Sequence, residues 1–228
     1  MPKMPLVAAV ALAFTAAASQ AATFTTLTLP TLNADIRTWT DGATYGPLFP
    51  GTQTYNGVPF ALAEDASSNI VYYSGVSPAP GALDIPVGVY GVTSAYSLIN
   101  SAYGAYGTNV GSMEFFGSGG AFYKVDLVEG TNVRDHYDGS YNNVIDNVTA
   151  IPAFNVGPGR ARLDEQIYTL PAEFATQTLT NIIFTGVNQS SGGIPFIAAA
   201  TVSAVPEPGA WALMLAGIGL VALRRRRA

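Results

Sequence analysis

Ala161 to Leu170 reads Ala-Arg-Leu-Asp-Glu-Gln-Ile-Tyr-Thr-Leu, and Thr178 to Gly186 reads Thr-Leu-Thr-Asn-Ile-Ile-Phe-Thr-Gly. Ile167-Tyr168-Thr169-Leu170 is rich in strand formers on both faces, and Leu179 to Phe184 alternates imperfectly, so both runs read as β-strands. Working outward, the same character recurs at Phe24 to Leu29, Val58 to Ala63, Ile70 to Ser74, Val87 to Thr93, Ser112 to Phe116, Ala121 to Val128 and Pro195 to Ser203. Asn56-Gly57 and Asp138-Gly139 are dipeptides suited to type I′ turns, and Gly117-Ser118-Gly119-Gly120 is a further break. Ser97 to Tyr103, ended by Gly104, reads as one short helix. Nine strands at this spacing, with antiparallel turn signals, predict an all-β fold: a two-sheet antiparallel β-sandwich, jelly-roll-like. No internal repeat and no linker divides it.

The two ends of the chain have a different character. Lys3 supplies a positive start, Leu6 to Ala18 an apolar run, and Ser19-Gln20-Ala21 small residues before a cleavage point. This is a secretory signal peptide over 1–21, to be cut by signal peptidase between Ala21 and Ala22. The predicted organisation is therefore signal peptide 1–21, β-sandwich 22–204 and a C-terminal segment 205–228. That last segment opens with Val205-Pro206-Glu207-Pro208-Gly209, runs without charge from Ala210 to Leu223, and ends in Arg224, Arg225, Arg226, Arg227 and Ala228. As a helix the uncharged run spans about 21 Å, short of the roughly 30 Å hydrocarbon core, so it is a marginal membrane helix. Trp211 suits the outer interface, and the arginines hold the other end in the cytoplasm.

Pro206, Glu207, Pro208, Trp211 and Ala212, followed by the apolar run and the arginine block, resemble the PEP-CTERM sorting signal in its Pro-Glu-Pro-x-x-Trp-Ala variant. The resemblance implies an exosortase, a membrane cysteine peptidase, as processing partner, and cleavage near the Pro-Glu-Pro motif. It implies a chain anchored transiently in the inner membrane of a Gram-negative bacterium, then released to the cell surface or extracellular matrix. That system accompanies exopolysaccharide and biofilm gene sets, and the same tail occurs on some ice-binding proteins. Separately, Thr54 to Phe60 and Ser97 to Gly104 resemble segments of galactose-binding-like β-sandwich domains of secreted bacterial proteins.

Between the two ends, residues 22–205 carry five basic residues (Arg37, Lys124, Arg134, Arg160 and Arg162) against 14 acidic ones, a balance of −9. Such a surface argues against nucleic acid as a partner. There is no cysteine, which excludes disulfides, thiolate zinc sites and cysteine nucleophiles. One histidine, His136, stands in Arg134-Asp135-His136-Tyr137-Asp138 and reads as a surface-loop residue whose charged form the neighbouring carboxylates favour. No Gly-x-Ser-x-Gly elbow accompanies it. Glu114, Glu129, Glu165 and Glu173 could serve a glycosidase by residue type, but nothing in the sequence pairs them. A non-catalytic domain is expected.

Two binding chemistries remain. Asp135, Asp138, Asn142, Asn143 and Asp146 lie within 12 residues beside Gly139, an oxygen-rich loop that could ligate a structural calcium ion. The same residues more often serve to hold such a loop by its own side-chain to backbone bonds. Trp39, Tyr72, Tyr73, Tyr103, Tyr106, Tyr123, Tyr137 and Tyr141 are candidates for stacking on sugar rings, with Tyr137, Tyr141 and Trp39 foremost. The threonine-rich runs at Thr23 to Thr28 and Thr176 to Thr180 lack the repeat that an ice-binding face needs. The expected protein is an exported surface or matrix protein whose sandwich binds exopolysaccharide. The alternatives are a secreted carbohydrate-active hydrolase and a purely structural surface component.

Overall fold

The computed structural model describes residues 22–39, 42–77, 81–139, 141–155, 159–187 and 192–205. The segment 1–21 read as a signal peptide, and residues 206–228 with the sorting motif and the expected membrane helix, lie outside the described residues. Among those described, no helix is long and apolar enough to cross a membrane.

Twelve strands form among the described residues, every pairing between them antiparallel. The first sheet runs β1 (Thr23–Leu27), β12 (Ile194–Ala204), β6 (Val92–Ala102), β10 (Arg162–Thr169) and β9 (Ala150–Asn155), with β4 (Tyr72–Tyr73) also on β12. The second runs β5 (Leu83–Tyr90), β11 (Thr178–Gly186), β7 (Asn109–Gly117) and β8 (Phe122–Val128). A separate hairpin joins β2 (Gly51–Tyr55) to β3 (Val58–Leu62). With β2, β3, β4 and β9 set aside, the orders 1-12-6-10 and 5-11-7-8 make every connection a crossing between sheets except the β7–β8 hairpin. That is the double Greek key of a jelly roll, as the strand pattern predicts.

Burial explains why the alternation is so imperfect. The second sheet packs Leu83, Ile85, Met113, Phe115, Leu127, Ile182 and Phe184 against Ala95, Ile99, Tyr168, Ile197 and Val202 of the first. The opposite face of the first sheet is covered as well, by the β2–β3 hairpin and residues around it. There Phe60, Ile36, Tyr45 and Ile70 pack on Leu98, Leu163, Phe196 and Ala199. A strand buried on both faces has no polar side to show, and all eleven residues of β12 are buried. A bulge between Ile197 and Ala199 shifts its register, so that Phe196 and Ala199 face the hairpin while Ile197 and Ala200 face the second sheet.

Three expectations need correction. Ser97 to Tyr103 is no helix: 97–102 is the second half of β6, paired with β12 throughout and with β10 at Ser97 and Leu98. Val87 to Thr93 is not one strand, because at Gly91 (φ 73°) the chain turns from β5 in one sheet to β6 in the other. Asn56 (φ 48°) and Gly57 (φ 86°) do form the left-handed corner of the β2–β3 hairpin, as expected. Asp138-Gly139, by contrast, joins no pair of strands, because Asp138 is drawn onto Arg162 at 3.3 Å. β2 and β9 escape the strand pattern, and Pro152 interrupts the latter.

The position of β12 makes it the most sensitive element. Ile197→Ala should cost roughly 2–5 kcal/mol in a urea unfolding titration, through lost burial and a cavity. Phe122→Ala, on the exposed edge strand β8, should cost less than about 1 kcal/mol.

Candidate functional site: an aromatic cleft

A cleft of about 570 Å³ opens where β6 ends at Ala102. Each wall has a local cause. The Asp35 side chain accepts the backbone N–H of Arg37 and starts a 3-10 turn at Ile36–Thr38, which delivers Trp39 to the rim. Tyr73, from β4, meets the Trp39 ring edge-on at 4.8 Å. Tyr103 follows β6 with φ 63°, and its ring meets Tyr141 edge-on at 5.4 Å. Gly104 comes next and has no alternative, since a Cβ there would lie 2.4 Å from the Glu129 carboxylate. Asp135, His136 and Tyr137 complete the lining.

Trp39, Tyr137 and Tyr141, the three foremost sugar candidates, thus border one cleft, joined by Tyr73 and Tyr103. The remaining aromatics lie elsewhere. Tyr72 is in the core between the sheets, Tyr123 packs against that core, and Tyr106 is exposed.

The segment 133–143 forms the floor and is stitched down on both sides. The His136 N–H donates to Ser101 O at 2.8 Å, and the Arg162 N–H donates to His136 O at 2.8 Å. Arg162, only 1% exposed, donates from Nε to Asp135 O at 2.9 Å and from a terminal nitrogen to Asn143 Oδ1 at 2.7 Å. Beside it, Arg134 grips Asp164 with two bonds of 2.8 and 2.6 Å, and Asn100 donates to the same carboxylate at 2.6 Å.

This floor overturns the surface-loop reading of His136, which is 6% exposed and packs edge-on against Trp39 and Phe196. Burial, reinforced by Arg162, lowers its pKa to about 4 and keeps the ring neutral. The Tyr45 hydroxyl donates to Arg162 O at 2.8 Å and lies 3.3 Å from His136 Nδ1. Glu129 is buried too, and desolvation pushes its carboxyl up to about 7 despite a 2.7 Å bond from Asn142.

The four proposed calcium ligands are engaged separately. Asp135 accepts the N–H groups of Tyr137 (2.7 Å) and Gly104 (3.2 Å), while Asp138 faces Arg162. Asn142 Oδ1 accepts Val144 N–H at 3.0 Å, and Asp146 caps Val148 and Thr149, each at 2.8 Å. The loop is held by Asx-type bonds, and Asp138 faces a guanidinium. Among the described residues no three or more His, Cys, Asp or Glu gather as a metal site. The four glutamates considered for hydrolysis are also dispersed. Glu114 pairs with Lys124, Glu129 with Asn142 and Glu165 with Asn56, while Glu173 lies on the 3-10 turn Ala172–Thr176.

Tyr45, Arg162 and the Arg134–Asp164 pair are missing from a motif-based reading. One signal was available: three of the five basic residues of 22–205 cluster at 134, 160 and 162.

Residues 204–227 match the PEP-CTERM protein-sorting motif, which includes Pro206, Glu207, Pro208, Trp211, Ala212 and the arginine block. No curated protein matches the chain. The motif implies processing by an exosortase and marks an exported protein with a membrane-anchored sorting signal. It begins at Ala204, the last residue of β12.

The two shifted groups act oppositely on stability. Glu129, raised from 4.5 to about 7, contributes stability that is complete below 4.5 and lost as pH rises through about 7. His136, lowered from 6.5 to about 4, contributes stability present above 6.5 and lost as pH falls through about 4. A tenfold change in a protonation equilibrium is worth about 1.4 kcal/mol, so Glu129→Gln should gain about 2 kcal/mol on its parent between pH 5 and pH 8. His136→Gln should gain on the parent as pH falls from 7 to 4. Urea unfolding across this range checks both.

Proposed function

We propose that this protein is a non-catalytic saccharide-binding protein of the cell surface or extracellular matrix, delivered by its sorting tail to the exopolysaccharide it binds. The observation that carries the reading is the convergence of Trp39, Tyr73, Tyr103, Tyr137 and Tyr141 on one cleft. The apolar face of a pyranose packs on such rings, and a cleft of this size is in the range of small-ligand sites.

The placement of the cleft supports the reading. Thr23 pairs with Ala204, so the strand that follows the signal peptide and the strand that precedes the sorting motif meet at one end of the first sheet. Ala102, in the cleft wall, pairs with Ile194 at the other end of β12. Eleven residues at about 3.3 Å each separate the two ends by roughly 33 Å. While the tail is in the membrane the cleft stands at the far end of the domain, and cleavage near Pro206 leaves every described strand intact.

Binding rests on rings and hydrogen bonds and takes no calcium in this reading. Residues 22–205 should bind extracted exopolysaccharide equally in millimolar calcium and in chelator. Trp39→Ala and Tyr141→Ala should each weaken binding about tenfold, or about 1.4 kcal/mol. Turnover of the polysaccharide, or unchanged affinity in both variants, would count against the proposal. For delivery, Glu207→Ala combined with neutralised arginines at 224–227 should leave full-length chain in the membrane fraction.

A further inference from the structure

We propose, resting on the reading of the cleft as a saccharide site, that its ligand is an uncharged saccharide and that uronate- or sulfate-bearing chains are refused. The reason is the sign and kind of the polar groups. Among the described residues that line the cleft there is no lysine or arginine, and its one carboxylate is Asp135. Of the guanidinium groups nearby, Arg134 is held on Asp164 and Arg162 on Asp135 O, Asn143 and Asp138, while Arg160 is exposed and is not among the residues that line the cleft. An anionic sugar would lose water beside a carboxylate and meet no opposite charge, which is costly. The balance of −9 over residues 22–205 adds repulsion at longer range.

A neutral pyranose meets none of these costs. Its C–H face stacks on the rings and its hydroxyl protons meet acceptors. One polar group of the lining is the Asp135 carboxylate, 1% exposed, whose two oxygens hold the N–H groups of Tyr137 and Gly104 and so fix its direction. The other is the His136 ring. A ligand rich in hydroxyl donors suits this floor, while a ligand carboxylate would add a further acceptor to a set that already accepts.

The test titrates the full-length chain in detergent, by calorimetry, with neutral gluco-, manno- and galacto-oligosaccharides and with oligouronates of equal length, at 50 and 500 mM salt. The expected result is neutral binding that changes less than twofold with salt and is lost in Trp39→Ala, with oligouronates at least tenfold weaker. Oligouronate binding that equals or exceeds neutral binding and falls with salt overturns this inference and leaves the saccharide reading standing. Neutral binding that survives Trp39→Ala and Tyr141→Ala overturns both, because the cleft is then not the site. Absence of binding to either class also overturns both.

Discussion

A guanidinium buried to 1% exposure cannot be left without acceptors, and Arg162 takes them from the segment that follows β8. It holds the Asp135 carbonyl, the Asn143 side chain and the Asp138 carboxylate at once. The cost of desolvating that charge ties the 135–143 loop to the end of β10, and the loop carries Asp135, His136, Tyr137 and Tyr141 into the cleft. Arg134 and Asp164 form a second buried pair beside the first, with the Asp164 side chain fully enclosed. The same charge contributes to keeping His136 neutral. Cleft geometry and part of the protonation thus trace to a strand residue whose charge the loop must satisfy, with burial the larger cause at His136.

The jelly roll gives this arrangement a direction. β12 is enclosed on both faces, by the second sheet and by the hairpin layer, and forms a stiff rod through the middle of the domain. One end of the rod meets β1 and the sorting motif, and the other meets Ala102 and the cleft. On the proposed reading, delivery and recognition lie at opposite ends of a single strand.

Much of this was legible from local chemistry, and what was not has identifiable causes. The long strands were visible from their β-branched and aromatic content, and Asn56-Gly57 announced its hairpin because only a left-handed corner joins strands so tightly. The aromatic residues of the cleft were recognisable by type, although nothing in their spacing joined Trp39 to Tyr141, which are 102 positions apart. Ser97 to Tyr103 misled because it shows no strand alternation, whereas pairing with β12 along 97–102, and with β10 at Ser97 and Leu98, makes it strand. His136 read as exposed because it sits among charges, and those charges are in fact turned inward onto arginine and backbone. The oxygen-rich loop left two uses open for a related reason: Asp and Asn offer backbone capping and metal ligation with the same atoms.

The central claim is that saccharide occupies the cleft bordered by Trp39. The chain has two tryptophans, Trp39 and Trp211, so Trp211→Phe in the full-length protein leaves Trp39 as the sole tryptophan reporter. Its fluorescence should be titrated with extracted exopolysaccharide and with neutral oligosaccharides. The account predicts a saturable change in intensity or emission maximum, as a sugar ring replaces water against the indole. An emission spectrum unchanged at concentrations where binding is established by another method would contradict it.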